Sequence, residues 1–574
     1  MLNIILFILL KSIKLSRLYS IKFLLFAVYL EYDIILSNKS INVYFKKYLC
    51  YYKLEGDYIV RTKKTLLNIL CDTIPYVLIG IVGLVKVNFL IKYIGDVGNG
   101  YYQVINQIIT YVFLAQIGFP EAVVYALYKP FAKQNKDDIN SIYSGSRKIC
   151  KIIGTVILGL IFIVSLCLYL FYGFVDGYRN SALICFVVIA TSYLISFFGR
   201  GQTYFAVLSA NQEKFVYSLT TNLVKLACDI SIIFAVCIFK NLESIAVVIL
   251  IAKIIEEIIL RIVVKKRYPW LHEVANKNTS MIKMTKDLAW TNIGFLVLNN
   301  IDSLIIVSYM GPAMVSVYTS YNFISRYLNE IASRIELGAV YSFGNVFAKD
   351  EDDKIYPLFK EFLVLFIIIA FSVALTFMLG IRGFVSVWVD STGDVNYLLN
   401  YITVVFFSLS LFLNISYYPL LALINARGLF NDNKKHTFIC AFVNVFFSLL
   451  LAKDFGISGV LFATSLSFVV NVFLKTQLVC KKILKEVTHV KLLSVYGLML
   501  GVYIVLTFLL KGVEALVLKY TTSLVVCILM LGIIFICTFG ICFGIMYLLI
   551  PDTKKLYNRI TNLLKRKFGK KLAV

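Results

Sequence analysis

Seven basic side chains lie inside long apolar runs of this chain: Lys86, Lys92, Arg200, Lys225, Lys253, Arg326 and Arg334. Burying one such charge at the middle of a bilayer costs about 2.5–3.5 kcal/mol, so residues of this kind face protein or water rather than lipid. Lys92 stands near the end of its run, where a long side chain can snorkel back to water. The other six are deeper and have the chemistry to grip an anion. Arginine offers a planar fork that matches two phosphate oxygens, and lysine offers a point charge. Among the embedded acids, Asp229, Asp302 and Glu330 are candidates for ion coupling or charge pairing.

The spacing groups them. Ser218, Asn222, Lys225 and Asp229 follow i, i+4, i+7, i+11, one stripe of a helix. Thr319, Asn322, Arg326, Glu330 and Ser333 form a second stripe, with Arg334 one turn beyond Glu330. Asn292, Asn299 and Asp302 share a third face. These stripes predict a polar, cationic cleft, and the neighbouring Asn, Ser, Thr and Tyr side chains could hydrogen-bond sugar hydroxyls. The competing reading is structural. Lys225 with Asp229, and Arg326 with Glu330, are i, i+4 pairs that could neutralise each other and only lock helices. Lys86, Arg200 and Lys253 have no obvious local partner, which favours a cavity role. Glu256 and Glu257, beside Arg261, and Glu121 read as interface residues.

Little else here could perform catalysis. Three histidines, His272, His436 and His489, are too few and too scattered for a metal site, and twelve cysteines show no ligand or redox spacing. No Gly-rich phosphate loop is present to bind a nucleotide. The longest connection on the outer side, about 383–397, carries only Asp390 and Asp394, a solvated turn rather than an acid/base pair. No catalytic residue, metal or cofactor is expected.

The elements that position these residues follow from composition. Of 574 residues 60% are hydrophobic and 16% charged, too few charges to coat a soluble fold. Apolar runs of about 20 residues cross a bilayer as helices. About fourteen are expected, near 67–94, 101–128, 149–175, 180–208, 214–239, 243–264, 288–310, 313–342, 358–382, 400–426, 433–453, 457–479, 490–511 and 519–550. With both termini inside, about 44 of the 57 basic residues fall on inside segments and only six on outside connections. The net charge of +25 therefore marks membrane topology, and no nucleic-acid partner is expected.

The expected organisation is all-α. Residues 64–266 form an N-lobe of six helices, 267–287 a cytoplasmic loop, and 288–484 a C-lobe of six. Residues 485–550 add a helix pair, and 551–574 a basic cytoplasmic tail. Residues 1–63 carry apolar patches too short to span, which could lie along the interface or be non-native sequence from a misplaced start. A shift of 216 residues superposes Tyr93-Ile-Gly95 on Tyr309-Met-Gly311, and Tyr102, Asn106 and Ile108 on Tyr318, Asn322 and Ile324. The shift also pairs Lys86 with Asp302. The repeat implies two parallel six-helix lobes around a central cleft, an architecture suited to alternating access.

Residues 64–550 resemble the multidrug/oligosaccharidyl-lipid/polysaccharide (MOP) exporter superfamily, and within it the polysaccharide transporter branch, the flippases of O-antigen and capsule repeat units. The resemblance rests on Val87-Asn-Phe-Leu-Ile-Lys-Tyr-Ile-Gly95, Gly100-Tyr-Tyr102 and Gln116-Ile-Gly-Phe-Pro-Glu-Ala122, with Asn300-Ile-Asp302 and Tyr309-Met-Gly311. It implies a multi-pass protein of the bacterial cytoplasmic membrane that moves a lipid-linked oligosaccharide, its pyrophosphate and sugars passing through the cleft while the polyprenyl tail stays in lipid. Glycan polymerase and chain-length proteins are the partners such a role would imply. The alternatives are a drug/cation antiporter of the same superfamily, which needs an accessible carboxylate such as Asp302, and a membrane-bound polymerase or ligase, which the short external loops disfavour.

Overall fold

A computed structural model describes residues 56–116, 118–171, 173–175, 177–281, 300–348, 352–389 and 395–549. Asn292 and Asn299, most of residues 1–63 and the basic tail lie outside them. Every regular element described is a helix. This follows from the composition, because in hydrocarbon a helix satisfies its own backbone groups.

The first half contains α1 (Gly56–Val112), α2 (Phe119–Ala132), α3 (Lys136–Phe171), α4 (Arg179–Phe198), α5 (Gly201–Ala210), α6 (Lys214–Phe239) and α7 (Leu242–Arg267). The second contains α8 (Asp302–Met310), α9 (Pro312–Ala348), α10 (Ile355–Trp388), α11 (Tyr401–Ser416), α12 (Tyr418–Ala426) and α13 (Phe430–Lys482). After these come α14 (His489–Leu509), α15 (Lys511–Tyr520) and α16 (Leu524–Leu549). Asparagines cap two of the starts. Asn241 accepts from Ser244 N at 3.1 Å ahead of α7, and Asn400 from Thr403 N at 2.8 Å ahead of α11.

Among the described residues, nine helices are long and apolar enough to cross a membrane, making this a multi-pass membrane protein. Two of the nine, over Ile74–Val112 and Asn431–Lys482, each contain a kink at a glycine, Gly95 and Gly456. The fourteen expected spans count both arms of these two helices separately. They also include α7, α8 and α9, which are charged or only partly described.

The kink in α1 bears on the repeat. Gly95 has φ 75° and ψ 173°; its partner under the 216-residue shift, Gly311, has φ 82° and ψ 173°. The two tripeptides that matched in sequence therefore make the same backbone break, in a left-handed region that side chains other than glycine rarely enter. One large apolar core is built mostly from residues after 304, and two smaller cores belong entirely to the first half. Packing between the halves runs through α1, against α8 and α9. At the Gly95 end the approach is closest, because a Cβ on Gly100 would collide with the carbonyl of Pro312. The last helices dock on α10. Arg382 donates to Glu514 at 3.0 Å, and Thr376 and Thr538 hydroxyls lie 3.3 Å apart.

Candidate functional site

Polar side chains converge at two centres, one in each half. In the first, Lys86 of α1 donates to Asp229 of α6 at 2.6 Å and lies 5.9 Å from the centre of the Tyr102 ring. Lys253 of α7 donates to Glu256 at 2.8 Å and faces the Tyr193 ring at 5.1 Å. Lys225 sits among these groups, within the field of Asp229, Lys86 and Lys253. Its side chain is exposed although its helix is apolar, and no ion pair or hydrogen bond reaches it among the described residues. Three cations face two carboxylates here, so one positive charge is left uncompensated.

In the second centre, Asp302 is buried and accepts from Tyr318 at 3.1 Å and from Thr464 at 3.2 Å; Asn444 in turn donates to Thr464 at 2.9 Å. No charged partner reaches Asp302 among the described residues. The two centres are related by the repeat. Lys86 with Tyr102, and Asp302 with Tyr318, occupy equivalent positions with opposite charge. Beside Asp302 opens a cavity with an empty volume of about 900 Å³, lined by Asn322, Arg326, Asn329, Glu330, Asn414 and Thr464 among others. Arg326 is exposed and, like Lys225, has no partner among the described residues.

Several sequence-based pairings are corrected. Asp229 bonds Lys86 from another helix rather than Lys225 on its own, so the supposed i, i+4 pair leaves Lys225 free. Glu330 pairs with Arg334 at 3.6 Å rather than with Arg326, and Arg334 also stacks over Tyr76 at 4.7 Å. Lys86 and Lys253 have carboxylate partners that local spacing did not reveal. Arg200 lies apart from the other cations, at the break between α4 and α5. There it reaches Glu273 at 3.5 Å, while its backbone N–H and that of Gly201 donate to Glu257 at 2.5 and 3.0 Å.

A further deep charge lies in the later helices. Lys475 is 3% exposed, donates to Asn433 Oδ1 at 2.8 Å and lies over the Tyr417 ring at 5.4 Å. Asn433, Thr437, Cys440 and Asn444 on one arm of α13, with Thr464, Ser467, Asn471 and Lys475 on the other, repeat at helical spacing and are all buried. That periodicity was present in the sequence as a signal.

The fold resembles those of solved transporters of the MOP superfamily. It is similar to the lipid II flippase MurJ in an inward closed conformation (TM-score 0.61, 15% identity, covering 83% of this chain and 99% of that one). It is also similar to a multidrug resistance MATE family transporter in an inward-facing conformation (0.59, 12%, 71% and 96%), and to a MOP superfamily transporter from Pyrococcus furiosus (0.52, 14%, 72% and 94%). No curated protein matches the sequence significantly. Residues 65–341 match the family described as "Polysaccharide biosynthesis protein". The matched stretch contains all nine candidate residues.

Proposed function

We propose that this protein is a flippase that carries a polyprenyl-pyrophosphate-linked oligosaccharide, a repeat unit of a surface polysaccharide such as O-antigen or capsule, across the bacterial cytoplasmic membrane by alternating access. Both termini are cytoplasmic, and the Gly95 end of the molecule faces outward. The observation that carries the reading is the pair of exposed cations with no ion-pair partner among the described residues, Lys225 on an apolar helix in one half and Arg326 on the wall of the polar cavity in the other.

A cation that is accessible yet unpaired in such a setting costs free energy unless an anion or water meets it. A pyrophosphate supplies such an anion. Lys86 and Lys253, each tied to a carboxylate, flank Lys225, and Arg334 and Glu330 flank Arg326. The amide and hydroxyl groups of Asn322, Asn329, Asn414 and Ser410 present donors and acceptors to sugar. Asp302, buried and without a cationic partner among the described residues where the repeat-related site holds Lys86, would be the residue that couples movement to a proton or cation.

Neutralising Lys225 or Arg326 (Lys225→Gln, Arg326→Gln) should abolish surface glycan export while the protein remains in the membrane at normal abundance. Normal surface glycan in both variants would reject the cationic-site mechanism. Unchanged glycan together with increased sensitivity to cationic drugs would instead support the antiporter reading.

A further inference from the structure

The segment that joins the halves is folded back as a strap across one end of the first half. Residues 268–281 lie along the start of α3, held by main-chain and side-chain bonds. His272 N donates to Asn140 Oδ1 at 3.2 Å, Val274 N to Ser144 Oγ at 2.8 Å, and Asn278 N to Ser141 O at 3.1 Å. Lys136 sits over the Trp270 ring at 5.6 Å, and Met281 is buried. The fit is close enough that a Cβ on Gly145 would collide with the backbone of Asn278.

From this strap a single carboxylate, Glu273, points at two guanidinium groups, Arg147 Nε and Arg200 Nη2, both at 3.5 Å. The two arginines are not equivalent. Arg147 is 7% exposed and donates to the carbonyls of Phe198 and Gly199, so its charge ties off the end of α4. Arg200 is 34% exposed and has Glu273 as its ion-pair partner among the described residues. Glu257, one residue after the Glu256 that holds Lys253, fixes the backbone at Arg200.

We infer that Arg200 is a docking contact for the anionic headgroup on its way to the Lys225 centre, and that Glu273 is a tethered competitor which occupies Arg200 until a headgroup displaces the strap. This rests on the reading of the substrate as an anionic prenyl pyrophosphate. The geometry favours it because a carboxylate at 3.5 Å and 39% exposed is a loose partner, and exposed pairs of this kind contribute little. A doubly charged phosphate oxygen cluster matches the guanidinium fork better.

The test is binding of radiolabelled geranylgeranyl pyrophosphate to the full chain in lipid nanodiscs. Glu273→Gln should tighten binding about 2- to 5-fold, the range expected for removing one partly exposed competing charge. Glu486→Gln, the same charge change at an exposed site elsewhere, should leave it unchanged. Arg200→Gln should weaken binding and remove the effect of Glu273→Gln. A disulfide between Ser141→Cys and Asn278→Cys, whose backbones are hydrogen-bonded, should pin the strap and weaken binding until reductant is added. Unchanged or weaker binding in Glu273→Gln overturns the proposal, as does equal tightening in Glu486→Gln. If Lys225→Gln abolishes binding while Glu273→Gln has no effect, the strap proposal fails and the cationic site stands. If the unaltered chain binds no prenyl pyrophosphate, the substrate reading fails first.

Discussion

Tyr397, in the connection between α10 and α11, donates its hydroxyl to Asp96 of α1 at 2.7 Å, joining the two halves directly beyond the Gly95 break. The bond is the last in a chain. Asn99 Nδ2 donates to Ser316 Oγ at 2.6 Å, and the Ser316 and Tyr397 hydroxyls are 2.7 Å apart. Because Tyr397 gives its proton to Asp96, Ser316 must donate to Tyr397, so every group is satisfied in one direction. Burial pushes the Tyr397 hydroxyl above its ordinary range, which keeps it protonated and able to donate. Tyr321 completes the clasp by donating to the Tyr397 carbonyl at 3.0 Å.

This clasp joins the halves at the Gly95 end, and under the proposed alternating access it has to open. Removing the hydroxyl in Tyr397→Phe takes one donor from the buried Asp96 carboxylate. Hydrogen bonds to charged groups contribute about 1.5–3 kcal/mol, so the closed state should lose about tenfold or more in population relative to the open one. A cysteine at Asn322, on the cavity wall, reads this out in a background with the native cysteines replaced. A membrane-impermeant thiol reagent added from outside should label it about tenfold faster in Tyr397→Phe. Equal labelling rates would show that the clasp does not hold that end shut.

The repeat-related glycines predict a graded stability series. At Gly95 and Gly311 no atom lies within 4 Å of an added Cβ, so alanine there suffers only from its backbone conformation. That penalty is about 1–3 kcal/mol. At Gly100 the conformation is ordinary helix, but the Cβ would meet the Pro312 carbonyl, and the helices must separate. Thermal unfolding in detergent should show Gly95→Ala and Gly311→Ala lowering stability by similar modest amounts, and Gly100→Ala by clearly more. A harmless Gly100→Ala would mean that the halves are not in contact there.

Lys86 and Asp229 show why loss of transport alone does not identify a binding residue. Their side chains are 15% and 7% exposed, and removing either leaves the other charge buried. Breaking such a pair costs about 3–5 kcal/mol, whereas replacing both members with apolar groups is often neutral. Lys86→Met and Asp229→Leu should each lower thermal stability sharply, and the double variant should recover most of the loss. Glycan export separates the roles. If the double variant is stable and still exports, the pair is structural; if it is stable and inactive, the field of Lys86 acts on the substrate.

The family, the all-helical membrane class and the repeat were legible in the sequence because each is written locally. Apolar runs announce spans, and Tyr-x-Gly announces the same backbone break twice. Which charges meet was not legible, because that depends on how helices face each other. Asp229 lies four residues from Lys225, yet α1 and α6 pack so that Lys86 reaches it first. Arg200 was read as a cleft residue because its apolar run was taken as continuous; the helix breaks at Gly199, with φ −68° and ψ −136°, and turns the side chain toward the strap. Glu273 was passed over as loop, where a carboxylate carries no periodic signal.

Lys475 was missed for a different reason. Span counting placed it with the basic residues that follow the run ending near 479, although its spacing from Thr464 and Asn471 puts it on their face. It is a buried ammonium whose oxygen partner is an amide, not a carboxylate. A charge compensated only by an amide and a ring gains little in return for its desolvation. Lys475→Met, similar in length and apolar, should therefore keep or raise the thermal stability of the detergent-solubilised protein. Asn433→Leu should lower it by about 1–3 kcal/mol, because it strips the ammonium of its acceptor while leaving the charge in place. If Lys475→Met retains full stability but loses glycan export, the buried lysine is maintained for transport rather than for folding. If it retains both, the seam between the arms of α13 tolerates an apolar side chain and Lys475 has no part in the transport cycle.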